Sequence, residues 1–134
     1  MEKIMVLLVD DQPALRQGLR LRLAIEPDIA VIGEAGDGQA AVDLAGTLVP
    51  DVVVMDITMP GMDGIAATRA LRKAMPTSAV VILTLHDDTA TRNQALEAGA
   101  VALVAKHQPS NDLLAAIRAA ATTAVGTSGA SPDS

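Results

Sequence analysis

Val52-Val53-Val54-Met55-Asp56-Ile57-Thr58-Met59-Pro60-Gly61-Met62-Asp63-Gly64 decides how the rest of the chain is read. Its first four residues are apolar and mostly β-branched, with no alternation of polar and apolar positions. That pattern predicts a strand buried on both faces, as in parallel sheets. Pro60, Gly61 and Gly64 stop its continuation. Asp56 then stands at or just past the carboxyl end of a central strand, the edge at which open parallel sheets hold their ligands.

Working outward, similar runs predict strands over 4–9, 29–35, 79–84 and 101–105, the second weakened by Gly33. Helical spacing fills the gaps. Pro13 suits a first helical turn, Leu15, Leu19, Leu23 and Ala24 recur on one stripe up to Ile25, and Pro27 ends the element. Asp37-Gly38 turns into a helix with Ala41, Leu44, Ala45 and Leu48 inward, closed by Pro50. A helix over 65–74 follows Gly64 and stops at Pro76. Asp87-Asp88 start a short, mostly polar helix that runs to Gly99, and its poor amphipathicity predicts the least firmly packed helix. Ser110 or Asn111 caps the last helix, with Leu113, Leu114, Ile117 and Ala121 buried.

This alternation is an α/β class chain, (βα)5, with a doubly wound parallel five-stranded sheet. Right-handed crossovers give the order 2-1-3-4-5 and a crevice between strands 1 and 3. Residues 1–121 form one domain. Residues 122–134 turn to Thr, Ser, Gly, Ala and Asp, which predicts a flexible tail or linker.

Composition removes several function classes. The chain of 134 residues has no cysteine, which excludes disulfides, thiolate metal sites and cysteine nucleophiles. It has no Phe, Tyr or Trp, so its core is aliphatic. A formal net charge of −6 argues against a nucleic-acid surface, since phosphate contacts need clustered Lys and Arg. No apolar run approaches the ~20 residues of a membrane span, and the amino terminus does not read as a signal peptide, so a cytoplasmic location is expected.

The strand ends carry the chemistry. Strand 1 delivers Asp10 and Asp11, strand 3 Asp56, strand 4 Thr84 and strand 5 Lys106. Singly, each has an ordinary reading: the acid pair as a helix cap, Thr84 as a β-branched strand residue, Lys106 as a solvated surface lysine. In a parallel sheet, however, all five meet on one edge. Gathered carboxylates repel, and a hard divalent cation with oxygen ligands relieves that; Mg²⁺ is the usual one at carboxylate and phosphate sites. Three carboxylates, Mg²⁺ and the Lys106 ammonium sum to no formal charge, which leaves room for an incoming phosphoryl group. Asp37 and Asp63 read as turn or cap residues.

On these residues the chain resembles a receiver domain of a two-component response regulator, CheY-like and with a flavodoxin-like fold. The resemblance rests on Asp10-Asp11, on Asp56 within Met-Asp-Ile-Thr-Met-Pro-Gly-Met-Asp-Gly, on Thr84 and on Lys106. Asn111-Asp112-Leu113-Leu114-Ala115-Ala116-Ile117-Arg118 and Leu83-Thr84-Leu85-His86-Asp87-Asp88 are similar to the NarL/LuxR type. The resemblance implies that Asp56 accepts a phosphoryl group from the phosphohistidine of a sensor histidine kinase. It implies Mg²⁺ held by Asp11, Asp56 and the Thr58 carbonyl, and by Asp10 through water. Lys106 stabilises phosphoryl charge, and Thr84 senses the phosphoryl group and biases a conformational equilibrium. The domain acts only on its own phosphorylation and dephosphorylation, so no enzyme in the ordinary sense is expected. It also implies a homodimer in some members, through helices 1 and 5 or the strand 4–strand 5 side. In the NarL/LuxR type, DNA is bound through a C-terminal domain absent from this chain.

Several positions depart from the family pattern. Leu103 stands where a switching Tyr or Phe is usual, and Leu85 follows Thr84 where a small residue is usual. Leu85 is expected to narrow access to Asp56, while Thr58 and His86 occupy positions that tune dephosphorylation. His107, not Pro, follows Lys106, and a trans bond is expected there, since a cis one costs about 2.5–4 kcal/mol. Rival readings have specific defects. A flavin binder lacks a phosphate loop and any stacking ring, and an aspartate phosphohydrolase lacks the second acid, its place taken by Thr58. The alternative that keeps the fold is a phosphorylation-independent, atypical receiver acting as an interaction module.

Overall fold

A computed structural model describes residues 2–57, 63–85, 88–106 and 110–129. Five strands, β1 (Ile4–Val9), β2 (Ile29–Ala35), β3 (Val52–Asp56), β4 (Ala79–Thr84) and β5 (Ala102–Ala105), pair in parallel in the order β2-β1-β3-β4-β5. Between and after them run α1 (Pro13–Ala24), α2 (Gly38–Leu48), α3 (Gly64–Ala74), α4 (Thr89–Ala98) and α5 (Ser110–Gly129). The doubly wound α/β architecture and the strand order are those expected from the alternation of apolar runs. All five residues of β3 and all six of β4 are buried, which is why these strands read as continuous apolar runs.

Each sheet face has its own apolar layer. On one, Leu23 of α1 and Leu113, Leu114 and Ile117 of α5 pack over Val6, Leu8, Val54 and Val81. On the other, Ala41 and Ala45 of α2, Ala67 and Leu71 of α3 and Ala95 of α4 cover Leu7, Val53, Met55 and Ile82. Burying each large aliphatic side chain contributes about 1.5–3 kcal/mol, and here aliphatics supply the whole core.

Local chemistry sets the helix starts. Asp37, Asp63 and Asp88 each cap a helix by accepting the backbone N–H of Ala40, Ala66 and Thr91, at 2.8, 2.8 and 2.7 Å. The cap roles read for Asp37 and Asp63 are therefore observed. α4 buries Ala95 and Ala98, while α1 buries Leu23 alone, so burial does not single out α4 as the least firmly packed helix. The weakness read at Gly33 has a structural form: between Val6 and Leu7 the partner on β2 jumps from Val31 to Gly33, a bulge in the edge strand. A side chain at Gly33 would meet Leu48 Cδ1 at 2.7 Å, so the end of Leu48 would have to shift to admit one.

Two expectations are corrected. α5 continues to Gly129, well into the stretch read as a flexible tail from residue 122. No proline interrupts the ladder before Pro132, so composition alone did not mark the helix end. On α1 only Leu23 is buried, while Leu15 and Ala24, read as part of the same stripe, are exposed. Ile25 is the C-cap residue and stands past the last helical turn.

Candidate functional site

The site lies where β1, β3, β4 and β5 end. β3 places Asp56 as its last residue, opposite Leu83 of β4. Thr84 ends β4 opposite Ala105, and the backbone N–H of Lys106 donates to the Thr84 carbonyl at 2.7 Å. Strand register thus brings the Asp56, Thr84 and Lys106 positions to one level before any side-chain contact is considered. α3 closes the far side: Gly64 N–H donates to the Ile57 carbonyl at 2.9 Å. A Cβ at Gly64 would collide with the Asp56 carbonyl oxygen and stand 2.6 Å from Ile57 Cα, so only glycine permits this approach.

Side chains complete the arrangement. Asp10 and Asp56 are 2% and 4% exposed, and Thr84 is buried with them. The Lys106 ammonium lies 3.1 Å from Asp56 Oδ1 and 3.6 Å from Asp10 Oδ2, tying the ends of three strands. Asp10, Asp11 and Asp56 each offer a carboxylate oxygen, and the three oxygens lie within 4.8 Å of one another.

The acid pair is not a cap of α1. The N-cap residue is Gln12, with no side-chain cap bond, and Asp10 Oδ1 instead accepts the Gln12 N–H at 2.9 Å. That bond holds the Asp10 carboxylate in place and turns it toward the strand ends. Its other oxygen, Oδ2, is buried and finds no hydrogen-bond partner among the described residues. A buried carboxylate oxygen left so is costly unless a cation serves it, and Lys106 at 3.6 Å does so only at ion-pair range. The donor set and this oxygen together fit a hard divalent cation.

Of the residues read from sequence, Asp10, Asp11, Asp56 and Lys106 are brought together, and Thr84 is placed at the same edge. Thr58 and His86, and with them the Thr58 carbonyl and the bond before His107, lie outside the described residues. Leu85 is 62% exposed beside Thr84, and Leu103 is buried in the layer under α2, α3 and α4. Sequence reading missed Arg16 and Glu34. Arg16 Nη1 donates to the Asp10 carbonyl at 2.6 Å and Nε to Glu34 Oε1 at 3.1 Å. Only the pairing of β1 with β2 brings Glu34 within reach, so no local signal marked it.

A parallel sheet with clustered acids and a lysine at its carboxyl edge defines an open α/β domain with its ligand site at that edge. Comparison with known proteins narrows this: residues 6–118 match the model of the response regulator receiver domain, and the chain belongs to that family. Over 117 residues it is 43% identical to the transcriptional regulatory protein LiaR of Bacillus subtilis, covering 87% of this chain and 56% of LiaR. The signal receiver domain of the response regulator NarL from Mycobacterium tuberculosis superposes with a TM-score of 0.86 at 35% identity, covering 91% of this chain and 98% of that one. RcsB from Salmonella enterica serovar Typhimurium, bound to promoter rprA in the presence of phosphomimetic BeF3−, gives a TM-score of 0.80 at 26% identity, covering 88% of this chain and 98% of that one. The relatives are response regulators of the NarL/LuxR type, and this chain is a receiver domain of that type. It spans about half the length of the curated relatives it matches, 56% of LiaR and 54% of NarP. No helix among the described residues is long and apolar enough to cross a membrane.

Proposed function

We propose that this receiver domain takes a phosphoryl group onto Asp56 from the phosphohistidine of a sensor histidine kinase. The Asp56–Lys106–Asp10 arrangement carries this reading, because it pairs one buried carboxylate with a cation and a second acid at the same sheet edge. A carboxylate oxygen of Asp56 forms a bond to phosphorus as the phosphorus–nitrogen bond breaks, and the histidine leaves with its electron pair. Lys106, 3.1 Å from Asp56 Oδ1, stabilises charge on the phosphoryl oxygens. Asp10, Asp11 and Asp56 would hold Mg²⁺ together with the Thr58 carbonyl, and the ion, when bound, neutralises phosphoryl charge. Thr84, ending β4 at the same edge, is the group to donate a hydroxyl hydrogen bond to the new phosphoryl oxygens.

The readout is a conformation. Without an aromatic residue anywhere in the chain, the switch runs through the loop after Thr84 and aliphatic repacking around Leu103. Such a domain acts on itself and is a switch, not an enzyme with an external substrate. A groove of about 260 Å³ between α1 and α5, lined by Leu15, Leu19, Leu113 and Leu114, reaches Asp10 and Lys106 and has room for a few side chains of a phosphodonor. Output through a C-terminal DNA-binding domain and a cytoplasmic location belong to the same reading.

Intact-mass measurement after incubation with acetyl phosphate and Mg²⁺ tests it. Wild type should gain about 80 Da, one phosphoryl group, and Asp56→Asn should gain nothing. A wild-type chain that stays unmodified would leave the phosphorylation-independent interaction module as the better account.

A further inference from the structure

We propose that Arg16 is a positioning residue for the cation-binding acid pair, an inference that rests on the Mg²⁺ reading of the site. The Asp10 N–H makes the last bond of β1 to β2, to the Ala35 carbonyl at 3.1 Å, and Val9 is the last register partner, so the sheet no longer dictates the orientation of the Asp10 carbonyl. Arg16 supplies what the ladder does not. Its Nη1 donates to the Asp10 carbonyl oxygen at 2.6 Å while Nε donates to Glu34 Oε1 at 3.1 Å. The carbonyl of Asp10 and the N–H of Asp11 belong to one rigid peptide plane. Holding that carbonyl therefore orients the plane that joins both acid-bearing residues.

The clamp is itself held. Arg16 sits in the first turns of α1, its backbone N–H bonded to the Gln12 carbonyl at 3.1 Å, and Glu34 belongs to β2. Arg20 approaches the other Glu34 oxygen at 3.5 Å, without contact to Asp10. Both Arg16 and Glu34 are mostly shielded, with side chains 19% and 28% exposed. A planar guanidinium reaches two acceptors in fixed directions, which a lysine ammonium at this site does not reproduce. Groups that orient metal ligands typically change metal affinity by about 10–100-fold when removed.

The sign of the effect separates positioning from charge. Arg16 is a cation near a cation site, so by Coulomb repulsion alone its loss tightens Mg²⁺ binding. Positioning makes the opposite prediction. Titration calorimetry with Mg²⁺ should show Arg16→Gln weakened by about tenfold and Arg20→Gln, which removes the same charge, equal to wild type or tighter. Arg16→Lys keeps the charge and should also bind Mg²⁺ more weakly; it serves if Arg16→Gln loses its far-UV circular dichroism. In acetyl phosphate labelling, Arg16→Gln should need more Mg²⁺ for half-maximal rate yet approach the wild-type rate at saturation, a split that general destabilisation does not produce. Folded Arg16 variants that bind Mg²⁺ as tightly as wild type overturn the role of Arg16 and leave the site reading standing. A wild-type chain that binds no Mg²⁺ overturns both.

Discussion

Val49 closes α2 with φ 49° and ψ 62°, a left-handed conformation that its β-branched side chain disfavours. It is exposed, so replacing it removes little buried surface. Left-handed geometry costs an L-residue about 1–2 kcal/mol, and glycine returns about 0.5–1 kcal/mol of that as chain entropy. Val49→Gly should therefore stabilise the fold by up to about 1 kcal/mol, read from urea unfolding; a lower midpoint would mean that Val49 packs better than its exposure implies. Gly64 has the opposite character. The atoms a Cβ would meet there are the backbone of Asp56 and Ile57, which cannot rotate aside. Gly64→Ala should destabilise by about 1–3 kcal/mol and slow phosphorylation of Asp56, because relief requires moving the strand end that carries it. The Asp56 position was legible from four apolar residues and a Pro/Gly loop. The need for glycine at position 64 was not, since it arises from α3 folding back onto β3.

Among the elements, α5 is attached partly through charge. Arg118 donates to both oxygens of Asp28, at 2.8 and 2.9 Å, and to Glu26 Oε1 at 2.7 Å, while Arg22 holds Glu26 from the other side at 3.1 Å. The clamp ties α5 to the turn between α1 and β2. Hydrogen bonds from Arg118 hold the Asp28 carboxyl below its ordinary 3.8, and those from Arg118 and then Arg22 hold Glu26 below its ordinary 4.5. Depressed carboxyls contribute stability that is complete above their unfolded values and fades as pH falls through the folded ones. The Arg118→Gln variant should thus melt below wild type at about pH 7 and approach it at about pH 3. A gap that persists at low pH would make packing of the arginine stem the cause. The groups are solvent-accessible, so a modest shift is expected, and it should shrink in high salt. Helix periodicity found α5 but could not show this clamp, whose partners are about ninety residues apart in sequence.

For the whole molecule, ligand linkage gives the most direct check. A cation that binds only the folded site at ten times its dissociation constant adds about 1.4 kcal/mol, which for a domain of this size raises the melting temperature by about 5 °C. Excess EDTA should remove that increment from wild type, and Asp11→Asn should show little of it at the same Mg²⁺ concentration. An equal rise in both would place the ion elsewhere on the acidic surface. Sequence alone determined the order of strands and helices, the parallel sheet and which residues end each strand, because apolar periodicity and Pro or Gly punctuation act over a few residues. Since every parallel strand ends at the same edge, that was enough to assemble Asp10, Asp11, Asp56, Thr84 and Lys106. Only tertiary structure decided that Asp10 turns toward Lys106 instead of capping α1, that Arg16 and Glu34 stand behind it, that Leu15 is left exposed and that α5 runs on to Gly129. The first two depend on side chains meeting across β1, β2 and α1, the third on which face of α1 the sheet covers, and the last on a helix end that no proline marks. Local pattern carries no term for such distances between elements, so the ligands were legible and their supports were not.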